Sequence, residues 1–206
     1  MLQSIDLACV RGDRRLFRQL NLSVAPGQML RVEGPNGVGK TSLLRLLAGL
    51  GLPAAGAVHW CGRSIREQRE IYSQSMLYLG HQPALKDELN ATENLEVMAR
   101  LAGLPAAAGV IADALARFGL KREVRLPTRA LSAGQRRRAA LARLLLSARV
   151  PLWILDEPFT ALDVAAIELL AGVIEQHLER AGMLVVTSHQ AVTVTVGTVV
   201  NLQLRP

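Results

Sequence analysis

The chain carries the stretch Gly34-Pro35-Asn36-Gly37-Val38-Gly39-Lys40-Thr41-Ser42. This stretch fits the pattern G-x-x-x-x-G-K-[ST], in which a glycine-rich loop joins a strand to a helix. The run 28–33 before it is typical of a short strand, and the leucine-rich run 41–48 after it is typical of a helix. Strand, loop and helix in this order predict an α/β fold with a phosphate-binding loop, and all nine loop residues are candidates for nucleotide binding.

The residue types of this loop suit the phosphates of a nucleotide. Glycine lets the backbone adopt conformations closed to other residues and approach a ligand closely. Successive N–H groups then converge on the β- and γ-phosphates, and the start of the helix adds partial positive charge. Lys40 can reach the same oxygens, and the hydroxyl of Thr41 suits a magnesium ion. The alternative is a glycine-rich turn that binds nothing. Residues later in the chain that could form the second half of a nucleotide site argue against this alternative.

Size and composition exclude several classes of protein. The chain has 206 residues, of which 50% are hydrophobic and 3% are aromatic, so one domain with an aliphatic core is expected. No run of about 18 apolar residues is free of charge, so no membrane span is predicted, and the first residues do not have the pattern of a signal peptide. The net charge of +7 could indicate nucleic acid, a membrane surface or an anionic substrate. Without interleaved aromatic residues we favour a solvated basic face and no nucleic-acid partner.

The two cysteines, Cys9 and Cys61, are far apart in the sequence. They form no C-x-x-C pair, so neither a metal site nor a disulfide is expected. We interpret them as free, buried thiols of a protein in a reducing cytoplasm.

The pattern changes twice along the chain. Residues 2–32 alternate apolar and polar, with turns at 12–13 and 26–27, which predicts antiparallel strands up to the phosphate loop. Residues 84–148 have a helical pattern. Asn90 followed by Glu93 predicts a capping box, a second helix is expected at about 107–118, and a third after Leu131-Ser132.

The last part of the chain returns to strands. Residues 152–155 and 183–187 are continuous apolar runs, as expected of strands buried in a parallel sheet. A helix is predicted between them at 164–180, and 192–204 is rich in β-formers. We therefore expect one domain over 1–206, with a nucleotide-binding core at 1–83 and 149–206 and a helical subdomain at 84–148.

The pair Asp156-Glu157 follows the first of these apolar runs. Open α/β sheets bind ligands at the carboxyl ends of their strands. The carboxylate of Asp156 is then placed to hold magnesium, and Glu157 is placed to orient or deprotonate a water that attacks the γ-phosphate. A simple exit from strand to turn is the alternative, and the phosphate loop in the same chain argues against it.

The stretch Leu131-Ser132-Ala133-Gly134-Gln135, hereafter the signature segment, resembles the LSGGQ motif of ATP-binding-cassette ATPases. The resemblance implies a RecA-like P-loop core with an inserted helical subdomain, and ATP with Mg²⁺ as cofactors. It also implies a homodimer, in which Ser132 to Gln135 of one copy face the γ-phosphate bound by the other. Ala133 replaces a glycine of the motif, and its methyl group should be tolerated if the contacts of Ser132 and Gly134 remain.

Other positions match elements of the same family. By resemblance, Gln82 senses magnesium and contacts the membrane partner, Asp163 ends the loop through which the two copies meet, and His189 senses the γ-phosphate. Arg11 stands where the family often stacks an aromatic ring on adenine. Its guanidinium could stack instead, or base recognition could be weak. The remaining histidines are interpreted as structural: His59, His81 and His177.

Four stretches are similar to one subfamily, the ATPase subunits of bacterial haem exporters used in cytochrome c maturation. The resemblance implies separate membrane permease subunits, a peripheral position at the cytoplasmic face of the inner membrane, and release of a haem-loaded chaperone. Haem itself need not touch this chain. An ATPase for another small solute, a DNA-acting cassette ATPase and a P-loop kinase remain as alternatives, in that order. The four stretches cover residues 78–83, 85–89, 153–163 and 188–190.

Overall fold

The computed structural model describes residues 1–104, 106–188 and 194–205. Within these residues, nine strands form two sheets. The four-stranded antiparallel sheet has the order β2-β1-β4-β5 and contains β1 (Leu2–Arg11), β2 (Arg14–Val24), β4 (Ala55–Trp60) and β5 (Arg63–Ser64). The five-stranded parallel sheet has the order β6-β7-β8-β3-β9 and contains β3 (Gln28–Glu33), β6 (Met76–Leu79), β7 (Leu152–Asp156), β8 (Met183–Thr187) and β9 (Thr198–Gln203). The helices are α1 (Lys40–Leu47), α2 (Arg69–Ser75), α3 (Ala91–Leu101), α4 (Ala108–Arg117), α5 (Ala133–Leu141), α6 (Arg143–Leu146) and α7 (Val164–Glu179).

The antiparallel prediction is right for β1 and β2 and wrong for β3. The turn at Gly12, whose φ is +59°, joins β1 and β2 into a hairpin. After the second turn, at 26–27, the chain changes sheets, and β3 pairs in parallel with β8 and β9. The physical reason is burial: Met29 and Leu30 are adjacent yet both buried, so β3 needs cover on both faces.

The parallel sheet separates two hydrophobic clusters. In β7, Leu152 and Ile154 join one cluster, and the alternate residues Trp153 and Leu155 join the other. The cluster of Leu152 and Ile154, the α1-side cluster, also contains residues of α1 and of the antiparallel sheet. The cluster of Trp153 and Leu155, the α7-side cluster, also contains residues of α3 to α7. Because successive side chains of a strand point to opposite faces, an unbroken apolar run is what such a two-sided strand requires.

The helical pattern between 84 and 148 is confirmed by α3, α4, α5 and α6, all of which lie within 91–146. The capping box at Asn90 and Glu93 is confirmed: the Asn90 side chain accepts from the N–H of Glu93, and the Glu93 carboxylate accepts from the N–H of Asn90. Helix α2 was not predicted. It has seven residues, and Tyr72 is the one described as buried, so the apolar periodicity that indicates a helix is missing.

The carboxyl-terminal elements agree with the sequence where they are described. Helix α7 ends one residue before the predicted end at Arg180, and β8 and β9 account for the predicted strands. Residues 192 and 193 of the predicted β-rich tail lie outside the described residues. In the described part of the chain, no helix has the length and apolar character to cross a membrane.

Both cysteines are free thiols. Cys9 is buried, as predicted, but Cys61 is exposed. The prediction fails for Cys61 because this residue begins the turn between β4 and β5, where the chain reverses in solvent.

Candidate nucleotide-binding site

The phosphate loop connects the end of β3 to the first residue of α1, in a conformation that only glycine accommodates at two positions. Gly34 and Gly39 have φ values of +142° and +112°, which L-residues rarely adopt. A Cβ at Gly34 would lie 2.5 Å from the carbonyl oxygen of Leu204, and one at Gly39 would lie 3.1 Å from Cβ of Leu16. The loop is therefore closely packed between the hairpin strand β2 and the carboxyl-terminal end of the chain.

Lys40 begins α1 and is buried, with 9% of its surface exposed. Its Nζ donates to the carbonyl oxygens of Gly34 at 2.7 Å and Pro35 at 3.2 Å. The loop's own carbonyls therefore hold the ammonium group against the loop. A positive charge held in this way is placed to bind phosphate oxygens.

A cavity of about 720 Å³ opens beside the loop. This volume is typical of a pocket for a small molecule. The hairpin contributes Arg11, which was predicted from the sequence, together with Arg14 and Leu16, which were not. The other lining residues are Asn36, Gly37, Gly39, Lys40, Thr41, Ser42, His81, Asp156, Glu157 and Thr160. The structure thus brings the two predicted halves of the site, the phosphate loop and the pair at the end of β7, into one cavity.

Asp156 is the last residue of β7, and 1% of its surface is exposed. Its Oδ1 accepts from the hydroxyl of Thr187 at 2.7 Å, and that hydroxyl also accepts from the N–H of Glu157 at 2.9 Å. Its Oδ2 is buried and has no hydrogen-bond partner among the described residues. A buried carboxylate oxygen without a partner is costly, so this atom fits a cation or a water bound to one.

The donor set around Asp156 fits magnesium only together with a nucleotide. Within the described ranges there is no cluster of three or more His, Cys, Asp or Glu that could hold a metal ion. Magnesium is usually held by one or two protein oxygens and by the phosphates of the substrate. Thr41 and Asp156 line the same cavity and could supply those protein oxygens.

Glu157 lines this cavity with an unusual backbone. Its φ is +49°, in the left-handed region that residues other than glycine seldom adopt. Neighbouring groups hold both peptide groups that flank this residue, since Thr187 accepts from its N–H and Arg137 donates to its carbonyl oxygen at 2.6 Å. Strained residues of this kind persist where the surroundings fix them, and they are frequent at functional sites.

Arg137 is the principal residue that the sequence did not identify. It lies in α5 and is 5% exposed. Burial lowers the pKa of its guanidinium group, and the nearby carboxylates of Asp156 and Glu157 oppose that change. In the sequence it lies within a run of three arginines. It stands three and four residues before the buried Ala140 and Leu141, and this spacing, which places it on the buried face of the helix, is the signal that could have distinguished it. Its side chain donates to the carbonyl oxygens of Gly80, His81, Asp156, Glu157 and Pro158.

The signature segment begins α5 with a capping box. The Oγ of Ser132 accepts from the N–H of Gln135 at 3.2 Å, and the Oε1 of Gln135 accepts from the N–H of Ser132 at 2.8 Å. At Gly134, a Cβ would lie 2.9 Å from the carbonyl oxygen of Ala161. As the structure describes this chain, residues 132–135 are not among those that line its nucleotide cavity. Ala133 lines a separate hollow of about 220 Å³.

The other predicted residues lie around the cavity. Gln82 is exposed and lines a neighbouring hollow of about 300 Å³ together with Thr41. Asp163 accepts from the N–H of Ala166 at 2.9 Å and so caps α7. His189 lies outside the described residues. His81, for which the sequence favoured a structural role, is exposed and lines the nucleotide cavity.

Comparison of the whole sequence with known protein families agrees with this site. A protein-family model described as ABC transporter matches residues 17–160. The phosphate loop, the acidic pair at the end of β7 and the capped signature segment define an ATPase of the cassette class, and the chain belongs to the ABC transporter family.

The chain is similar over most of its length to proteins named cytochrome c biogenesis ATP-binding export protein CcmA. The protein from Methylococcus capsulatus is 56% identical over 188 residues, which cover 91% of this chain and 90% of the relative. The protein from Aromatoleum aromaticum is 53% identical over 190 residues, with coverage of 92% and 89%. The protein from Nitrosomonas europaea is 51% identical over 204 residues, with coverage of 99% and 95%.

Solved structures of cassette proteins have the same fold. An ATP-binding subunit of an ABC transporter matches 91% of this chain and 79% of its own with a TM-score of 0.82 and 27% identity. A dimeric bacterial ABC transporter cassette matches 98% of this chain and 94% of its own with a TM-score of 0.85 and 23% identity. The predicted α/β fold with a P-loop core is therefore confirmed.

Proposed function

We propose that this chain is the ATP-hydrolysing subunit of the haem exporter used in cytochrome c maturation. The observation that carries the proposal is the meeting of Lys40, Asp156 and Glu157 in one cavity of about 720 Å³. The similarity to export proteins of cytochrome c biogenesis over more than nine tenths of the chain supports the assignment to this exporter.

In the proposed complex with ATP, the triphosphate lies along the phosphate loop. Lys40 and the loop N–H groups bind its oxygens. Thr41, Asp156 and Gln82 would hold a magnesium ion, which would neutralise charge on the phosphates. Glu157 orients the attacking water and accepts its proton, and a general base of this kind contributes about 10²- to 10⁴-fold to the rate. His189 senses the γ-phosphate in this proposal.

The base of the nucleotide lies by the β1–β2 hairpin. Arg11 and Arg14 line this part of the cavity, next to Leu16. A guanidinium plane can stack on an aromatic base, as a ring would in other family members. We therefore assign adenine contact to Arg11, with Arg14 as its neighbour.

The active form in this proposal is a homodimer that encloses two nucleotides. Ser132, Ala133, Gly134 and Gln135 of one copy face the γ-phosphate bound by the other, and Asp163 lies at the contact between copies. Two observations support this arrangement. The signature segment is exposed at Ser132 and Ala133, and it does not line the cavity of its own chain as described. In addition, a cassette of the same fold is dimeric.

Within each copy, we propose a nucleotide-binding core at 1–83 and 149–206 and a helical subdomain at 84–148. The Gln82 region joins the two and contacts separate permease subunits of the exporter. The chain would then be peripheral at the cytoplasmic face of the bacterial inner membrane, without haem or nucleic acid as a direct ligand. Hydrolysis would open the dimer and drive release of a haem-loaded chaperone.

The substitution Glu157→Gln tests the chemistry, with Glu168→Gln as a matched control at an exposed position of α7. Because the amide cannot accept a proton, we expect turnover to fall by about 10²-fold or more while ATP still binds. The trapped ATP should hold two copies together, so sedimentation velocity should show an ATP-dependent dimer for this variant. The control should hydrolyse ATP at the parent rate. Turnover by Glu157→Gln at the parent rate would contradict the assigned role.

A further inference from the structure

The guanidinium group of Arg137 contacts two separate segments of the chain. On one edge, Nη1 donates to the carbonyl oxygens of Gly80 and His81, both at 3.1 Å. On the other edge, Nη2 donates to those of Asp156 at 3.0 Å and Glu157 at 2.6 Å. Nε adds a longer bond to Pro158 at 3.3 Å. One buried side chain thus binds five backbone carbonyls.

These two segments begin where the pairing of the neighbouring strands β6 and β7 ends. We define the Gln82 loop as residues 80–83 and the Glu157 turn as residues 156–160. Strands β6 and β7 pair from Met76 with Leu152 to Leu79 with Leu155, and the segments begin immediately afterwards. Beyond that register the strands no longer supply donors to each other's carbonyls, and Arg137 supplies them instead.

The Glu157 turn depends on such support because its backbone is strained. A residue other than glycine at φ of +49° lies in a sparsely populated region and persists where its surroundings fix it. Thr187 accepts from the N–H of Glu157 in the peptide before it, and Arg137 donates to the carbonyl oxygen of Glu157 in the peptide after it. Removal of either contact would let the backbone at Glu157 relax and would redirect the carboxylate.

We propose that Arg137 is the positioning residue that fixes the Glu157 carboxylate and links it to the Gln82 loop and to α5. The inference rests on the proposed function and adds a mechanical connection to it. Helix α5 begins at the signature segment, which in the proposed dimer meets the nucleotide of the second copy. If α5 shifts at that moment, the guanidinium group of Arg137 moves with it and displaces both the Gln82 loop and the Glu157 turn. Arg137 itself does not touch the reacting atoms.

The geometry of the contacts requires arginine. Its donors form a planar fork with two usable edges, whereas lysine presents a compact point charge. A lysine at this position can reach one segment at a time, and a glutamine has two donors instead of five. We therefore expect function to decrease from arginine to lysine to glutamine.

The test compares Arg137→Gln and Arg137→Lys with the parent protein, and uses Arg138→Gln as a control. Arg138 is the next residue of α5 and is half-buried, so its replacement removes an equal charge from the same helix. We expect kcat of Arg137→Gln to fall on the order of 10²-fold, because small displacements of a catalytic group have effects of this size. The dissociation constant for ATP should change by less than about tenfold, since the phosphate loop is untouched. Arg137→Lys should have an intermediate kcat, and Arg138→Gln should match the parent.

Amide hydrogen exchange gives a second readout that does not need turnover. In Arg137→Gln, or in Arg137→Lys if the first variant does not fold, exchange should accelerate in the Gln82 loop and the Glu157 turn. It should remain unchanged in the β1–β2 hairpin. A parent-like kcat in Arg137→Gln would overturn the proposal, and so would parent-like exchange in both segments. A loss of ATP affinity as large as the loss of kcat would also overturn it. If the parent does not hydrolyse ATP within its exporter complex, the proposed function fails, and the exchange result still decides the role of Arg137 in holding the two segments.

Discussion

At the scale of single residues, the hydroxyl of Thr187 connects two acidic residues with different proposed roles. It donates to the carboxylate of Asp156 and accepts from the backbone of Glu157. The first contact leaves one carboxylate oxygen of Asp156 for a cation, and the second helps to fix the direction of Glu157. A pair of adjacent acids can therefore divide metal binding and proton transfer between them.

Lys40 allows a direct test of nucleotide binding. We expect Lys40→Ala to weaken ATP binding by roughly tenfold to a hundredfold, since a hydrogen bond to a charged group is worth about 1.5–3 kcal/mol. Titration calorimetry with ATP and magnesium measures the change. Lys121→Ala is the control, because Lys121 is an exposed lysine in the helical part of the chain. Unchanged affinity in Lys40→Ala would refute the role of the phosphate loop.

His177 predicts how stability depends on pH. Its ring stacks on Trp153 with centroids 3.8 Å apart, and burial is the main cause that lowers its pKa from 6.5 to about 4. The unfolded chain therefore binds this proton at a higher pH than the folded chain. The contribution to stability is complete above pH 6.5 and is lost as the pH falls from 6.5 to 4, by about 3 kcal/mol in total.

Urea unfolding at pH 7.5 and pH 4.5 measures this contribution. The parent should lose more stability on acidification than His177→Gln, because the variant has no proton to bind at this site. An equal loss in both proteins would show that His177 is not responsible.

At the scale of elements, the sequence predicted best those features whose signal is local. The cap of α3, the phosphate loop and the strands β7 and β8 each depend on adjacent residues, and all are found. The change of sheet at β3 depends on strands more than 150 residues away, such as β8 from Met183. Likewise, the five carbonyls bound by Arg137 come together only when β6, β7 and α5 are packed.

Two helices of this chain begin with the same capping box, which provides an internal control. Ser132→Ala and Asn90→Ala should each cost about 1 kcal/mol of stability, because each removes the side-chain acceptor of one box. If Ser132 also contacts the nucleotide of the second copy, ATP turnover should fall in Ser132→Ala and remain near the parent rate in Asn90→Ala. Thermal unfolding and ATPase assays separate the two effects. Equal turnover in both variants would indicate that Ser132 serves only as a helix cap.

At the scale of the whole molecule, the proposal assigns one chain to a larger export complex. We expect a strain that lacks this chain to lose covalently bound haem in its c-type cytochromes, and the parent gene to restore it. Glu157→Gln should not restore it, because export needs turnover, whereas Glu168→Gln should. Haem staining of periplasmic c-type cytochromes measures the outcome. Normal cytochromes in the deficient strain would favour a transporter for another solute.

The parallel sheet that divides the two hydrophobic clusters has a consequence for how this protein can diverge. Side chains above the sheet and side chains below it fill different cores, so a mutation in one layer does not force repacking in the other. If the helical subdomain meets a membrane partner next to the Gln82 region, substitutions in that subdomain could alter the contact while the layer under the phosphate loop stays unchanged.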